Sequence, residues 1–374
     1  MNLIVISEPE LIVGKGTRNN ALNEILTYYL EHNQSVTYFS SSDQLQEFNV
    51  DGVEYFSLSN YSKQKRIVFK EFFSIRKRFK EILAKYKDAH VQFRLPSLYS
   101  MQIYLIVKNL IPKKQLSFYI AGDWQESLKF NYPEKLYLSK ILPVLQNKII
   151  QNHLCVFTGK TLLNKNVKRV ERGFAFYSTT HANKDVPETI TDKSEKLGIC
   201  FIGRIEKLKN FNFFIELAKS EKISRKYSFH LLGDGPETTH VKDTLIKCGI
   251  TNLTLHGHVN DRVTFDEIIS NSKYFVLPSY TEGTSKTLPE MMCRSTIPIA
   301  FNGVGSNNDI LQHNNGFLSD VDDLDAVINF INEVDMDNEK YFQILQAGNK
   351  YAKENAIEKQ LKTMFEFLYA KVKG

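Results

Sequence analysis

Short runs of β-branched and aromatic residues alternate with longer segments of helical periodicity along almost the whole chain. The longer segments repeat their apolar residues about every 3.6 positions, which predicts amphipathic helices. Such alternation predicts βαβ units and parallel sheets covered by helices on both faces. The runs that predict strands are LIVIS (3–7), SVTYFS (35–40), HVQFRL (90–95), LSFYIA (116–121), NHLCVFTG (152–159), GICFIG (198–203), SFHLLG (228–233), LTLHG (253–257), YFVLP (274–278) and IPIAF (297–301). They need two sheets, so the chain is predicted to be an α/β protein with two parallel-sheet domains.

The best boundary between the two predicted domains is Ser178–Lys196, which is polar, contains Pro187 and lacks apolar periodicity. A length of 374 residues fits two domains of ordinary size. We therefore predict an N-terminal domain over residues 1–185 and a second domain over residues 195–355. A C-terminal helix at about 356–374 is predicted to pack back on the first domain.

The basic residues are concentrated in the first domain, and most densely in Lys63–Lys87, which holds ten basic and two acidic residues among bulky apolar ones. A helix with this pattern has an apolar face and a basic face, as expected of a segment on an anionic membrane surface. An ordinary core helix with a solvated basic side explains the pattern equally well. Nucleic acid is not an expected partner, because no recognition motif accompanies the charge.

Two features indicate the compartment. The most apolar window, LYSMQIYLIVKNLI, contains Lys108 and is shorter than the ~20 residues that span a bilayer. The cysteines are scattered singly, which argues against a disulfide framework and a structural zinc site; they are Cys155, Cys200, Cys248 and Cys293. We expect a cytoplasmic protein, peripheral at the inner face of the membrane if the basic segment binds lipid.

A loop of small and hydroxylated residues, TEGTSKTLPE (281–290), follows the strand YFVLP. In parallel sheets, ligands bind at the carboxyl ends of strands, where loop amides and helix N-termini attract anions. The loop also carries two carboxylates, Glu282 and Glu290. They suit a ligand with a diphosphate in its middle and sugars at both ends, because carboxylates accept hydrogen bonds from vicinal hydroxyls. A helix start with a capping box of Thr287 and Glu290 is the plainer explanation.

Two cations follow another predicted strand, in CFIGRIEKLKN. Gly203 ends this strand, and Arg204 and Lys209 come after it. A guanidinium and an ammonium that converge on one loop would neutralise a diphosphate, which the glutamates cannot do. Two solvated surface cations are the alternative. Together with residues 281–290, called the glutamate loop from here on, the cations favour a diphosphate site.

Several motifs occur in an order and spacing that resemble those of the retaining glycosyltransferases of family 4. The motifs are GRIEKLKN, LLGDGP (231–236), HGHV (256–259), PSYTEGTSKTLPEMM (278–292), IPIA (297–300), NGVGSNNDIL (302–311) and NNGFLSD (314–320). They include the E-x7-E signature of that family at Glu282 and Glu290. The resemblance implies the GT-B fold, in which two Rossmann-like parallel-sheet domains face each other across a cleft.

The resemblance also implies roles for individual residues. Glu282 would face the transferred sugar, and Arg204 and Lys209 would bind the diphosphate, so these three form the predicted catalytic set. Glu290 would hold the ribose hydroxyls. The predicted donor-binding residues are Gly203, Val259, Gly283, Thr284, Ser285, Lys286, Thr287, Leu288 and Glu290.

The N-terminal half matches the family only loosely. Gly14 and Gly16 follow the first strand, where the family often has a glycine-rich loop beside the acceptor, although a simple strand-to-helix turn explains them too. Asp123 and Trp124 end another strand and would contact an acceptor sugar by hydrogen bonding and stacking. For Asp123, a helix cap is the alternative.

These observations predict a retaining glycosyltransferase that moves a hexose or N-acetylhexosamine from a nucleotide diphosphate sugar, with UDP-sugars favoured, to a saccharide acceptor. The basic segment favours a polyprenyl-linked or other lipid-linked acceptor and a role in cell-surface polysaccharide or glycoconjugate synthesis, with a soluble acceptor as the alternative. No DxD motif lies near the proposed site, and Arg204 with Lys209 can replace the charge of a metal. We therefore predict no cofactor and no catalytic metal.

Rival functions are distinguished by their motifs. A dehydrogenase would need GxGxxG after a strand, which VGKGTRNN does not supply. Sugar-nucleotide 2-epimerases share the two-domain architecture but are not expected to carry this glutamate loop together with GRxxxxK. A non-catalytic sugar-nucleotide binding or scaffolding protein would use the same residues, so the sequence leaves this alternative open.

Overall fold

The computed structural model describes residues 1–42, 46–60, 71–122, 124 and 137–370. The chain divides into two compact units. The N-terminal unit comprises Met1–Thr180 and Ile357–Gly374, and the C-terminal unit comprises His181–Ala356. The division therefore falls within the polar stretch at which the sequence placed the domain boundary.

Both units are built on parallel sheets. The strands of the N-terminal unit are β1 (Asn2–Ile6), β2 (Leu11–Ile12), β3 (Gly16–Thr17), β4 (Ser35–Ser42), β5 (Glu47–Val50), β6 (Val53–Asn60), β7 (His90–Leu95), β8 (Leu116–Ile120), β9 (Leu154–Thr158) and β10 (Arg172–Phe176). The strands of the C-terminal unit are β11 (Gly198–Ile202), β12 (Ser228–Leu232), β13 (Leu253–Gly257), β14 (Ser272–Leu277), β15 (Ile297–Phe301) and β16 (Phe317–Ser319).

Helices connect most of these strands. Those in the described part of the chain are α1 (Asn20–Leu30), α2 (Phe72–Lys85), α3 (Leu98–Val107), α4 (Leu138–Ile150), α5 (Lys160–Asn166), α6 (Phe211–Lys219), α7 (Thr238–Lys247), α8 (Arg262–Ser270), α9 (Thr287–Cys293), α10 (Asn307–Ile310), α11 (Leu324–Met336), α12 (Asn338–Glu354) and α13 (Ile357–Tyr369). None of these helices is long and apolar enough to cross a membrane.

The N-terminal sheet has the strand order β10-β9-β8-β7-β1-β4-β6-β5. Its pairs are parallel except for the edge hairpin of β5 and β6. The run Leu3–Ile6 of the central strand β1 is fully buried, because helices cover both faces of the sheet. The hairpin turns at Asp51 and Gly52, which both have positive φ angles of 50° and 83°, the conformation of the tight turns that join antiparallel strands.

Helices α2, α3, α4 and α5 cover one face of the N-terminal sheet, because residues of all four pack in one hydrophobic cluster with alternate residues of β1, β7 and β8. Helix α2 contributes Ile75, Phe79 and Ile82 to this core. The described part of the segment Lys63–Lys87 is therefore a helix that buries its apolar face in the core and exposes Phe73 and several basic residues on its outer side. Residues 63–70 of that segment lie outside the described residues.

The C-terminal helix α13 packs on the N-terminal unit. The rings of Phe365 and Tyr29 of α1 meet edge to face with centroids 5.1 Å apart, and the Tyr369 hydroxyl donates a hydrogen bond of 2.5 Å to Asn33 Oδ1. Residues 371–374 lie outside the described residues. The packing of α13 follows from its apolar stripe, which fits against α1 on the face of the sheet opposite to α2–α5.

The C-terminal sheet is parallel throughout, with the strand order β13-β12-β11-β14-β15-β16. Residues 181–196, predicted as part of a polar connection, pack on this unit. Lys193 is buried, and its ammonium donates to the carbonyl of Ile269 at 2.6 Å and to Thr296 Oγ1 at 2.7 Å. Burial lowers the pKa of Lys193 to about 8.

Candidate functional site

The motifs of the second half meet at one edge of the C-terminal sheet. The strands β12, β11 and β14 are neighbours in the sheet and run parallel, so the loops that leave their carboxyl ends are adjacent. These loops carry Gly203 and Arg204 after β11, Gly233 and Asp234 after β12, and the glutamate loop after β14. The parallel sheet thus places side by side three loops that are distant in sequence.

A salt bridge joins two of the predicted catalytic residues across these loops. The Lys209 ammonium donates to Glu282 Oε1 at 2.6 Å, and the two side chains are 22 % and 11 % exposed. Lys209 ends the short 3₁₀ turn Lys207–Lys209. The cation and the carboxylate are therefore held together at the sheet edge while both still reach solvent.

A network beneath the salt bridge fixes both loops. The Tyr280 amide donates to the Leu208 carbonyl at 2.9 Å. The Asp322 carboxylate accepts hydrogen bonds from Asn210 Nδ2 at 2.8 Å and from the Tyr280 hydroxyl at 3.1 Å. Asn210 has a left-handed backbone (φ 48°), a conformation that asparagine tolerates better than most residues. The Asp322 carboxylate therefore braces both the loop after β11, which carries Arg204 and Lys209, and the glutamate loop.

A pocket of about 420 Å³ lies beside this pair, at the carboxyl ends of β11, β12 and β13. Its lining residues are Ile202, Gly203, Arg204, Leu232, Gly233, Asp234, His258, Val259 and Phe265. Arg204 is mostly exposed, with its Nε 3.8 Å from Glu206 Oε2, so its guanidinium is presented to solvent at the pocket. The volume lies in the range of small-molecule sites.

Glycines of the LLGDGP motif allow the loops around this pocket to touch. A Cβ atom on Gly233 would collide with the carbonyl oxygen of Gly203, and one on Gly235 would collide with that of Ile205. Asp234 Oδ1 accepts hydrogen bonds from the Thr238 hydroxyl at 2.6 Å and from the Gly235 amide at 2.7 Å. Both hydrogen bonds lower the pKa of Asp234, and the bond from Thr238 has the larger effect.

Residues 305–307 pack against the glutamate loop and hold it in place. A Cβ atom on Gly305 would lie 2.5 Å from the Glu282 carbonyl oxygen, so the two backbones pack directly against each other. Both the amide and the hydroxyl of Ser306 donate to the Gly283 carbonyl, at 3.2 Å and 3.0 Å. The Ser285 hydroxyl donates to Asn307 Oδ1 at 2.5 Å. With its carbonyl groups bound on this side, the loop has a fixed path.

Some predicted donor-binding residues can act only through their backbone. Ser285 is buried and its hydroxyl bonds to Asn307, and Leu288 is fully buried in the core. Their side chains are therefore turned away from the pocket and the solvent. The Thr284 hydroxyl is buried and has no hydrogen-bond partner among the described residues.

The predicted capping box of Thr287 and Glu290 was wrong. Helix α9 begins at Thr287, and Lys286 stands in the N-cap position with φ −60° and ψ −33° and no capping hydrogen bond from its side chain. A capping box needs an extended backbone at the N-cap residue, whereas here the loop enters the helix with a helical backbone already at Lys286. Glu290 lies in the first turn of α9.

The residues proposed for an acceptor lie in the N-terminal unit. Gly14 and Gly16 have φ angles of 69° and 86°; Gly14 lies in the turn of the hairpin β2–β3 and Gly16 begins β3, where it pairs with Ile12, so a hairpin stands where the sequence suggested a strand-to-helix turn. Asp123 lies outside the described residues. Trp124 packs against the hydrophobic core, and its Nε1 is buried without a hydrogen-bond partner in the described part of the chain.

Sequence reasoning gave no role to Gly233, Asp234, His258 and Phe265, which line the pocket. The motifs LLGDGP and HGHV, which contain the first three, were the available signal. Phe265 lies within α8 and carries no local signal. Within the described ranges, no group of three His, Cys, Asp or Glu side chains has an arrangement that could hold a metal ion.

Part of the chain is similar to a known protein family. Residues 184–351 match the family model "Glycosyl transferases group 1". An "Uncharacterized 41.2 kDa protein in cps region" of Klebsiella pneumoniae is 24 % identical over 169 residues, which are 44 % of this chain and 45 % of that protein. An "Uncharacterized glycosyltransferase" of Haemophilus influenzae is 22 % identical over 187 residues, 49 % of this chain and 52 % of that one. The matches thus span about half the length of these curated relatives.

Two solved structures are similar over nearly the full length of both chains. Sucrose-phosphate synthase from Thermosynechococcus elongatus has a TM-score of 0.74 at 14 % identity, with 98 % of this chain and 99 % of that chain covered. Anabaena HepE in complex with UDP has a TM-score of 0.71 at 13 % identity, with 98 % and 100 % covered. The chain therefore has the GT-B fold of two Rossmann-like parallel-sheet domains, and its residues 184–351 are similar to the group 1 glycosyl transferases.

Proposed function

We propose that the protein is a retaining glycosyltransferase that moves a hexosyl or N-acetylhexosaminyl group from a nucleotide diphosphate sugar to a saccharide hydroxyl. The observation that carries the proposal is the salt bridge between Lys209 and Glu282, 2.6 Å long and next to a pocket lined by Arg204. This arrangement lies within a region that matches the group 1 glycosyltransferases.

The pocket suits the nucleotide part of the donor. It has room for a base and ribose, with Gly203 and Val259 in its wall and Glu290 as the proposed partner of the ribose hydroxyls. Arg204, at the pocket, is the proposed partner of the diphosphate. Its planar guanidinium can donate two hydrogen bonds to phosphate oxygens.

The main barrier to transfer is the departure of an anionic diphosphate while the sugar gains positive charge. Lys209 and Arg204, with the amides of residues 283–288, would stabilise the charge on the leaving group. Removing one such donor commonly lowers a rate by ~10² to 10³. Glu282 would accept hydrogen bonds from the transferred sugar and hold the Lys209 ammonium toward the diphosphate.

Arg204 and Lys209 would supply the positive charge that a metal provides in other enzymes, so the proposed reaction needs neither metal nor cofactor. A UDP-sugar is the favoured donor, in line with the UDP bound to Anabaena HepE. Turnover in the presence of a metal chelator tests the first point. A panel of UDP-, GDP- and ADP-sugars tests the second.

The proposed acceptor is a lipid-linked saccharide, polyprenyl-linked or otherwise, used by a cytoplasmic enzyme at the inner membrane face for cell-surface polysaccharide or glycoconjugate synthesis. Gly14, Gly16, Asp123 and Trp124 are the proposed residues on the acceptor side. The basic character of the N-terminal unit supports an anionic membrane as a partner, since Lys63–Lys87 alone holds ten basic residues.

The central test measures donor hydrolysis and transfer by Glu282→Gln and Lys209→Met variants. Each is expected to lose about 10²-fold or more in turnover. Matched controls are Glu216→Gln and Lys219→Met, which break an exposed 2.9 Å salt bridge in the same unit and should retain the wild-type rate. Product analysis should give the same anomeric configuration as the donor.

Wild-type turnover in the Glu282→Gln and Lys209→Met variants would show that the site is misassigned. Tight donor binding by the wild type without hydrolysis or transfer, for every donor of the panel, would favour the non-catalytic binding protein instead.

A further inference from the structure

The outer side of helix α4 is apolar and exposed. Tyr137, Ile141, Val144 and Leu145 are 60, 51, 54 and 44 % exposed. They lie on one side of the helix, because residues three, four, seven and eight positions apart share a face. The inner side packs against the core of the N-terminal unit, where Ile149 is buried. The helix is thus apolar on both sides, although an ordinary surface helix has a polar outer side.

Exposed lysines accompany this apolar stripe. Lys140 and Lys148 lie on the same helix and are exposed. Among the described residues between 89 and 170, ten are Lys or Arg and none is Asp or Glu; the undescribed residues of this range include Asp123, Glu126 and Glu134, and Lys113 pairs with Glu171 at 2.9 Å. The flanking helices α3 and α5 cover the same face of the sheet and add exposed apolar side chains, Leu105 at 43 % and Val167 at 51 %.

We infer that the outer side of α4 is the surface by which the protein docks on an anionic bilayer. Apolar side chains on such a surface enter the headgroup region, while lysines beside them pair with anionic headgroups. A second copy of the chain fits this surface poorly, since two positive surfaces would meet face to face.

This inference rests on the proposed lipid-linked acceptor, and it assigns the lipid contact to a different element. The segment Lys63–Lys87 was the expected contact, but its described apolar residues lie in the core. In α4, several apolar side chains and two lysines are exposed together, whereas the described part of α2 exposes a single large apolar side chain beside its lysines. Phe73, at 84 %, is the large apolar residue that α2 exposes.

The test is co-sedimentation of the full chain with vesicles of phosphatidylcholine alone or of phosphatidylcholine with phosphatidylglycerol. The wild type should bind only the anionic vesicles. An Ile141→Ser, Val144→Ser, Leu145→Ser variant should bind them about 100-fold more weakly, because three half-exposed apolar side chains are lost. A Lys140→Gln, Lys148→Gln variant should bind about 30-fold more weakly.

The matched control is an Ile246→Ser, Val263→Ser variant of the C-terminal unit. Ile246 and Val263 are 81 % and 75 % exposed, and their replacement should not change vesicle binding. Equal binding of the wild type to neutral and anionic vesicles, or wild-type binding by both α4 variants, would overturn the inference. So would a wild-type dimer, measured by light scattering, that the serine variant converts to a monomer, since α4 would then join two copies.

Donor turnover without vesicles separates this inference from the proposed function. The α4 variants should keep wild-type turnover of a nucleotide sugar while they lose vesicle binding. A wild type that binds anionic vesicles through α4 but turns over no donor would refute only the proposed function. A wild type that turns over donor but ignores vesicles would refute only the docking surface.

Discussion

Replacing Gly305 with alanine is expected to slow sugar transfer by displacing the glutamate loop. The new Cβ atom would lie 2.5 Å from the Glu282 carbonyl oxygen and 2.8 Å from that of Gly283, whereas real Cβ contacts stay above 3.0 Å. The loop or residue 305 must therefore move by about half an ångström or more. A shift of ~1 Å at a reacting group costs ~10² in rate, so kcat should fall on the order of 10- to 100-fold.

Gly303→Ala is the matched control. Gly303 and Gly305 both have left-handed backbones, with φ of 75° and 51°, but a Cβ atom on Gly303 would meet no atom within 4 Å. Both substitutions should lower the free energy of unfolding by ~1 to 2 kcal/mol, the cost of a left-handed conformation for alanine, and Gly305→Ala should lower it by about 1 to 3 kcal/mol more because its Cβ overlaps the glutamate loop. The additional effect on kcat should appear only at Gly305.

Initial rates with a nucleotide-sugar donor, together with urea unfolding of both variants, test this reasoning. Equal kcat values for Gly303→Ala and Gly305→Ala would show that the contact between residue 305 and the glutamate loop does not position Glu282.

Two further predictions concern buried charges in the C-terminal unit. Because burial lowers the pKa of Lys193 to about 8, below its unfolded value, this side chain binds a proton more readily in the unfolded chain above pH ~8, so the free energy of unfolding of the wild type relative to Lys193→Met should rise with pH from there to ~10.5; a difference between the two proteins that stays constant in urea titrations would contradict this. Asp335 forms a buried salt bridge of 2.8 Å with Lys273, so Asp335→Asn should destabilise the unit by ~3 to 5 kcal/mol. The control Asp325→Asn breaks an exposed pair with Lys222 and should change stability by less than ~1 kcal/mol; equal effects would refute the role of burial.

The parallel arrangement of the strands in the C-terminal sheet made much of the candidate site predictable from sequence. Ligand-binding loops of such a sheet follow the strand ends, so the positions of Arg204, Lys209 and Glu282 after β11 and β14 were enough to place them near one another. The contact between Lys209 and Glu282 was not predicted. Each residue had been assigned separately to a different part of the donor, and no sequence spacing indicates that two loops will share a salt bridge.

Other features depend on burial, which periodicity does not report. Helix α4 has apolar residues on two sides, and its sequence does not indicate which of these sides is buried in the core. Lys193 lies in a polar stretch, but the acceptor oxygens that bury it come from Ile269 and Thr296, far away in sequence. The hairpin at Asp51 and Gly52 is different, because Asp-Gly is a strong local turn signal that the sequence interpretation overlooked.

The brace formed by Asp322 has a consequence for changing the specificity of the proposed glycosyltransferase. Because Asn210 and Tyr280 bond to the same carboxylate, a substitution that moves either loop also moves the other, and the spacing between Lys209 and Glu282 would change with it. Residues outside this brace can vary without that penalty. His258, which directly follows β13, and Phe265 of α8 line the pocket, so they are the positions at which the proposed nucleotide preference could be redesigned without moving Lys209 and Glu282.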